Sequence, residues 1–221
     1  ASSVDAQPEH LSLHLGHSSH MVMVREYFFD SQTRIPSSLS IRALSTTGHD
    51  LNHSAFQARA EGAVNFFNQT WQGSLALADA MRATTNSFDP PAAVSPDFVG
   101  IFYPTPDNTY HGGAFALESN EALVVEGKIP DAAFWSITLQ NQWMQSIETS
   151  EGTASLNGSQ ITNREGQFRV WISHLAPPPG EDWLDTGGET QGLVAIRYLL
   201  AETAVAPSVR LQKLGDTQGI R

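Results

Sequence analysis

The stretch "HLSLHLGHSSH", residues 10–20, holds four of the eight histidines of this 221-residue chain. Neutral imidazole is the commonest protein ligand for zinc and copper, so the stretch is a candidate metal site. Leucine alternates with polar residues along it, which predicts a strand. On a strand, His10 and His14 lie roughly 13 Å apart, too far to bind one ion. Only His17 and His20, in the following turn, could be co-ligands, and we favour the interpretation that all four are solvated.

No sequence motif for catalysis is complete. Gly16-His-Ser-Ser-His20 begins like a nucleophile elbow but lacks its closing glycine. The chain has no P-loop, no dinucleotide-binding glycine pattern and no H-E-x-x-H zinc motif. The absence of cysteine excludes thiolate catalysis, cysteine zinc sites and disulfides. We therefore predict no catalytic residues, no cofactor and no transition metal of functional weight.

One acidic loop is a candidate calcium site. Glu181, Asp182, Asp185 and Glu189 surround Trp183, and carboxylate oxygens gathered on a loop are the ligands that Ca²⁺ prefers. The alternative is a solvated acidic turn in which the tryptophan is packed as an anchor.

Other polar and aromatic residues could line a ligand cavity. Glu126, Asn141 and Arg197 lie in otherwise apolar runs, where they could form such a cavity, a buried pair or an outward-facing set. The aromatic residues that could form a cleft for sugars or other ring compounds are Tyr110, Trp135, Trp143 and Tyr198. Aromatic residues in a sandwich more often belong to its core.

Composition limits the kind of partner. The formal charge is −11 and only Lys128 and Lys213 are lysines, which argues against nucleic acid or an anionic membrane surface. No apolar run approaches the ~18 residues that span a bilayer. Hydrophobic residues make up 40% and charged residues 16%, a globular balance.

Hydrophobic periodicity predicts the elements in three parts. Residues 1–45 contain three expected strands, at 10–16, 21–29 and 38–44, which cannot close a core alone. Residues 46–97 contain a long helix with a capping box at Ser54-Ala-Phe-Gln57 and then a Pro-rich linker. Residues 98–221 contain the remaining strands, separated by loops that we place at 105–113, 151–160 and 176–188. The strands are expected at 114–118, 122–127, 133–141, 167–173, 192–200 and 209–214.

The fold class that follows is mainly β. We expect an antiparallel β-sandwich, or a jelly-roll-like domain, preceded by a long helix and N-terminal strands. The expected apolar helix stripe is Phe56, Ala60, Val64, Phe67, Trp71, Leu75 and Met81, with Asn68 on the polar side.

Several phrases resemble a known family. These are "ALVVEGKIPDAAFWSITLQNQWMQS", "SLNGSQ", "DWLDTGGETQGLVAIRYLL" and "RLQKL", in an order and spacing similar to domain-of-unknown-function family 1214 (DUF1214). One departure is Asp182, where the family pattern has Asn. The segment "MVMVREYFFDSQTRIPSSLSIRAL" resembles the end of the first β lobe in two-lobed members. The resemblance implies a fold and brings no catalytic residues.

The N-terminus and three sequons predict secretion. The small, polar start "ASSVDAQ" suits a mature terminus left by signal cleavage, although a truncated chain would look the same. N-linked glycans are possible at Asn52, Asn68 and Asn157, each followed by the required Ser or Thr. We therefore expect an extracellular or secreted protein, with Asn68 and Asn52 favoured over Asn157.

The function expected from these features is structural. The strands expected at 21–29 and 38–44 are too apolar to stay exposed. The helix and sandwich of the same chain could cover them, and so could strand addition to a neighbouring copy, which also satisfies their backbone groups. We expect a non-catalytic subunit that self-assembles into a homopolymer or filament, with interface residues Leu11, Leu13, Leu15, Val22 and Val24. The alternative is an enzyme, or a protein that binds a small molecule or carbohydrate, using a cavity in the sandwich.

Overall fold

The computed structural model describes residues 22–30, 33–42, 52–88, 105–149, 152–203 and 205–214. Within these ranges the chain forms one helix followed by eight strands. They are α1 (His53–Arg82), β1 (Asn108–Ala116), β2 (Glu121–Lys128), β3 (Phe134–Asn141), β4 (Ser155–Asn157), β5 (Gln167–Ser173), β6 (Asp182–Asp185), β7 (Gln191–Leu199) and β8 (Ser208–Lys213).

The strands form two four-stranded sheets packed as a sandwich, as the sequence predicts. Sheet A has the strand order β1-β7-β3-β4 and is antiparallel throughout. Sheet B has the order β6-β5-β2-β8, in which β2 is antiparallel to both of its neighbours. The edge strand β6 pairs parallel with β5, a detail that the expected antiparallel fold did not include.

The core lies between the two sheets, and alternation along the strands places its side chains there. In β3, Trp135, Ile137 and Leu139 are buried, while the residues between them are partly exposed. In β2, four consecutive residues from Ala122 to Val125 are buried, because the outer face of sheet B also carries a small apolar cluster around Trp171. This double burial explains why β2 has a continuous apolar run.

Helix α1 begins at a different cap from the one predicted. The N-cap is Asn52, whose side-chain oxygen accepts a hydrogen bond from the Ala55 N–H at 2.9 Å and another from the Ser54 hydroxyl at 2.8 Å. The expected capping box at Ser54 is therefore wrong. Asn is as good an N-cap as Ser, and its side chain takes both donors.

The helix packs on sheet A through its C-terminal end. Ala78 is buried against Ala114 of β1 and Leu193 of β7, and Met81 packs beside them. The Arg82 guanidinium also donates to the Gln142 carbonyl at 3.3 Å, just after β3. The earlier turns of α1 are mostly exposed.

The predicted N-terminal strands are not formed within this chain over the described residues. Residues 22–30 and 33–42 carry no strand, because no neighbouring strand supplies a hydrogen-bonded ladder. The first predicted strand, at 10–16, lies outside the described residues.

The three predicted loops each contain a strand. Most of 105–113 belongs to β1, 151–160 contains β4, and 176–188 contains β6. Turn-forming residues such as Asn and Gly enter these strands because the sheet neighbours β7, β3 and β5 supply the pairing, so tertiary contacts override the local preference.

Candidate functional site

The N-terminal residues 22–30, here called the anchor segment, lie on the outer face of sheet A. The rings of Tyr27 and Phe29 both contact Phe134 of β3, with centroid distances of 5.2 and 5.4 Å. Tilted aromatic pairs of this kind are worth about 0.5–1.5 kcal/mol each beyond their burial. The anchor segment is therefore docked by side chains rather than by a strand ladder.

Polar groups of sheet A add to this docking. The Asn157 Nδ2 donates to the Phe29 carbonyl at 2.7 Å, and the Ser159 hydroxyl donates to the same carbonyl at 3.2 Å. At the other end, the Asn108 Nδ2 donates to the Tyr27 hydroxyl at 3.3 Å. The anchor segment thus crosses from β1 to β4, the two edge strands of sheet A.

Arg197 of β7 lies at the centre of this contact. Its guanidinium carbon is 5.3 Å from the centroid of the Tyr110 ring and 6.0 Å from that of Tyr27, within the range of a cation–π contact. No carboxylate of the described residues forms an ion pair with Arg197. Its Nε is buried without a hydrogen-bond partner, as is the Asn108 Oδ1 on the same face.

Residues 33–42, here called the free segment, follow the anchor segment and are exposed along their whole length. Leu39 is 66% exposed and Ile41 is 100% exposed, which is unusual for two alternating apolar residues in one segment. The Ser37 N–H donates to the Glu26 carboxylate at 3.0 Å, and this bond holds the start of residues 37–42 beside the anchor segment.

Two of the five predicted interface residues lie within the described residues. Val22 and Val24 lie in the anchor segment and are exposed. Leu11, Leu13 and Leu15 lie outside the described residues, as do the four histidines of the opening stretch.

Helix α1 carries a second exposed apolar surface, here called the helix face. Four large residues of the predicted stripe are more than half exposed: Phe56, Val64, Phe67 and Trp71. Phe67, Trp71 and Ala78 line a cavity of about 140 Å³ that Trp143 closes from the turn after β3. The aromatic residue Trp143, predicted as part of a cleft, therefore lies beside the helix and away from the sandwich interior.

The three predicted calcium ligands do not converge on one point. Glu181 accepts hydrogen bonds from Arg164 at 3.2 Å and Arg169 at 3.4 Å. Asp182 accepts from the Thr162 N–H and hydroxyl, and Asp185 accepts from the Gly187 N–H at 2.8 Å. No group of three metal-ligating side chains of the His, Cys, Asp or Glu type occurs among the described residues.

Glu126 is the centre of a charged cluster on the outer face of sheet B. Its carboxylate accepts from Arg169 at 2.6 Å and from Arg210 at 3.3 Å. Burial raises the pKa of the Glu126 carboxyl, but the two arginine hydrogen bonds outweigh it and the net pKa lies below the usual value. The sequence shows Glu126 as a polar residue in an apolar run, whereas its two partners come from strands that only the sheet brings together.

The other predicted cleft residues lie in the core. Trp135 and Tyr198 are buried between the sheets with their ring centroids 6.4 Å apart. His111 lies 5.6 Å from the Tyr198 ring, and burial lowers the pKa of this histidine. Burial likewise raises the pKa of Tyr198 to about 12. Of the residues proposed to form an aromatic cleft, only Tyr110 lies at the anchor contact.

The three sequon asparagines have different environments. Asn68 is exposed on α1, and Asn52 is exposed but its side chain caps the helix. Asn157 bonds through Nδ2 to Phe29, and its Oδ1 accepts from the Ser159 N–H at 2.9 Å. Asn141, the remaining predicted polar residue, organises the turn after β3 by accepting from the Trp143 N–H at 2.9 Å.

The sandwich matches one family. Residues 102–203 match the family model described as protein of unknown function (DUF1214). This confirms the resemblance predicted from the sequence. The matched region covers β1 through β7 and ends before β8.

Two solved structures that are similar to this chain are longer than it. A crystal structure of an uncharacterised protein from Burkholderia cenocepacia is 27% identical, with a TM-score of 0.57 over 63% of this chain and 38% of its own. A protein from Vibrio parahaemolyticus is 13% identical, with a TM-score of 0.42 over 54% of this chain and 36% of its own. The chain therefore spans well under half of either relative, and no curated protein matches it.

The described residues include no helix that is both long and apolar enough to cross a membrane. Helix α1 instead carries polar side chains along its length, such as Arg59, Glu61 and Asn65.

Proposed function

We propose that this protein is a non-catalytic structural subunit that is secreted and self-assembles into a homopolymer by N-terminal β-strand addition. The observation that carries the proposal is the free segment. It is exposed and belongs to no sheet, and its sequence alternates Leu39 and Ile41 with Ser38 and Ser40, so that in a strand the two apolar side chains would share one side. A segment with this alternation is suited to pairing with a sheet edge, which would satisfy its backbone and cover its apolar side.

The docking of the anchor segment supports a defined donor. Tyr27 and Phe29 fix residues 22–30 on the chain's own sandwich, so the free segment leaves from a fixed point. Because these anchor contacts are the same in every copy, each copy presents its free segment in the same direction. A head-to-tail contact of this type leads to a ring if the rotation between copies closes and to an open filament if it does not.

The exposed apolar surfaces are large for an isolated copy. The free segment and the helix face together expose Ile35, Leu39, Ile41, Phe56, Val64, Phe67 and Trp71. Exposed clusters of large apolar residues mark interaction sites in soluble proteins. It supports association, and the sequons at Asn52 and Asn68 support the extracellular part of the proposal.

Negative-stain electron microscopy of the full chain tests this proposal. We expect filaments or rings of uniform width, and we expect a variant that lacks residues 33–42 to show isolated particles. A matched control is deletion of residues 1–9, which leaves the free segment and the anchor segment intact. Isolated particles for the full chain at micromolar concentration contradict the proposal.

A second candidate function is the binding of a small ligand. The observation that favours it is the pair of buried polar atoms without a partner, Arg197 Nε and Asn108 Oδ1, beside the Tyr110 ring. An unpaired guanidinium flanked by aromatic rings is suited to an aromatic carboxylate. Isothermal titration with benzoate tests it, with Arg197→Gln as the variant expected to lose the heat and Arg164→Gln as the control.

A further inference from the structure

The free edge of β8 is the best acceptor for an added strand among the described strands. The sheets have four edges, of which β4 has 3 residues and β6 has 4. At the edge of β1, the Ala116 N–H already donates to the Asn86 side chain and the Asn108 N–H already donates to the Thr105 carbonyl. This leaves β8, with 6 residues.

The backbone groups that β8 offers follow from its pairing with β2. The Leu214 N–H donates to the Asn120 carbonyl at 2.8 Å, which makes these two residues a hydrogen-bonded pair. Because such pairs alternate along an antiparallel ladder, the N–H and C=O groups of Val209, Leu211 and Lys213 point away from β2. An incoming strand can therefore bond to these three residues.

The side chains at this edge are incompletely covered. Leu211 lies opposite Leu123, so it faces the sandwich interior, and yet it is 47% exposed. Val209 lies opposite Val125 on the same face and packs against the core. A strand that adds apolar side chains beside these two residues would extend the core over Leu211.

We propose that residues 38–42 of one copy pair antiparallel with residues 208–212 of β8 in a second copy, with Leu39 opposite Leu211 and Ile41 opposite Val209, while the Ser37 N–H keeps its bond to Glu26. The segment from Ser38 to Arg42 spans five of the six residues of β8. Pro36, which has no N–H to donate, lies just outside it. This inference rests on the proposed function, which it deepens by naming both surfaces.

The same register also gives compatible neighbours to the polar residues on the other side of the added strand. Ser40 falls opposite Arg210 and Arg42 falls opposite Ser208, so no two like charges are directly opposed. The reverse assignment, with the serines inward, would place their hydroxyls against Leu211 and leave both apolar side chains in water.

The acceptor is assigned to another copy because, within one copy, residues 33–42 form no ladder with β8, which pairs with β2. Ser37 is held by Glu26, within a segment that docks on the outer face of sheet A, whereas β8 is an edge of sheet B. Donor and acceptor are thus different surfaces, and their contact is heterologous.

Disulfide trapping tests the register, and the native chain has no cysteine to interfere. Opposed residues of a hydrogen-bonded antiparallel pair have Cα atoms about 5.5 Å apart, within the range of a disulfide. Leu39→Cys and Leu211→Cys would be made as separate full-length chains, one carrying an affinity tag, and mixed under mild oxidation. We expect a covalent heterodimer that contains one chain of each kind. The matched control is Ser40→Cys mixed with Leu211→Cys, since the side chain of residue 40 faces the opposite side.

The outcomes separate this inference from the proposed function. A heterodimer with Leu39→Cys and little with Ser40→Cys supports the register. If the unmodified chain assembles but the two mixtures react equally, the β8 assignment is overturned while self-assembly stands. A single chain that carries both Leu39→Cys and Leu211→Cys tests whether the acceptor is a second copy. If this chain forms an internal disulfide at low concentration, the assignment of the acceptor to a second copy is overturned. If the unmodified chain sediments as a monomer, both proposals fall.

Discussion

The side chain of Asn86 pairs with the backbone of Ala116 as a neighbouring strand would. Its Nδ2 donates to the Ala116 carbonyl at 2.9 Å, and its Oδ1 accepts from the Ala116 N–H at 3.0 Å. The Asn86 N–H also donates to the Ala114 carbonyl at 2.8 Å. One residue therefore closes this end of the β1 edge, and two residues later Phe88 enters the core beside Gly113.

Replacement of Asn86 by alanine should destabilise the fold for two reasons. It removes both side-chain bonds, and it places alanine at φ 58°, a conformation that side chains with a Cβ disfavour. We expect a loss of about 2–4 kcal/mol in the free energy of unfolding, measured with urea. Asn86→Gly relieves the backbone strain and should lose about 1–2 kcal/mol. Equal stability of both variants and the native chain would show that the edge closure contributes nothing.

The aromatic anchor should control the accessibility of the N-terminal segment. We expect Tyr27→Ala with Phe29→Ala to detach residues 22–30 from Phe134 and to raise the rate of tryptic cleavage after Arg25. Limited proteolysis followed by mass spectrometry measures this rate. The control is Val24→Ala, since this side chain is exposed and leaves the anchor rings in place. An unchanged rate in the double variant would mean that the rings do not hold the segment.

Half-buried His111 should make the fold less stable in acid. Burial lowers its pKa in the folded state below 6.5, so the unfolded chain binds a proton more readily as the pH falls. The contribution of the neutral histidine to the free energy of unfolding is therefore fully present above pH 6.5. It is lost progressively as the pH falls through the pKa of the folded state. We expect His111→Gln to show a smaller decrease in the free energy of unfolding between about pH 7 and pH 5 than the native chain. Parallel curves for the two proteins would contradict this.

Glycosylation should discriminate among the three sequons. In a secretory expression host, we expect occupancy at Asn68, which is exposed and whose side chain forms no hydrogen bond with another described residue. Asn157 should be largely unoccupied once folded, because its Nδ2, the atom that would carry the glycan, donates to the Phe29 carbonyl. Glycopeptide mass spectrometry gives the occupancy of each site, and full occupancy at Asn157 with none at Asn68 would oppose this expectation.

The strands β2, β3, β5 and β7 were predictable from the sequence because of their apolar and β-branched runs, whereas most of β1 was predicted to be a loop. The limits predicted for β5 coincide with those observed, Gln167–Ser173. The strands β4 and β6 were missed, since three or four residues such as "SLN" and "DWLD" carry no readable period. Their pairing depends on β3 and β5, which are distant in sequence.

The surfaces that matter for the proposed function were only partly predictable. The apolar alternation at residues 38–42 indicated a strand that needs a partner, and the structure leaves this segment unpaired in one copy. The contact between Arg197 and Tyr27 could not be predicted, because it joins residues far apart in the chain across an aromatic anchor. The acidic loop suggested one calcium site, whereas each carboxylate has its own protein partner, which composition alone does not reveal.

Sedimentation velocity of the full chain at micromolar concentration is the most direct test of self-assembly through the free segment. We predict species much larger than one 221-residue chain, and a single monomer boundary for Leu39→Ser with Ile41→Ser. The matched control, Ser38→Asn with Ser40→Asn, changes the opposite side of the same segment and should still assemble. A native chain that sediments as a monomer, or a Leu39/Ile41 variant that assembles like the native chain, would contradict the account.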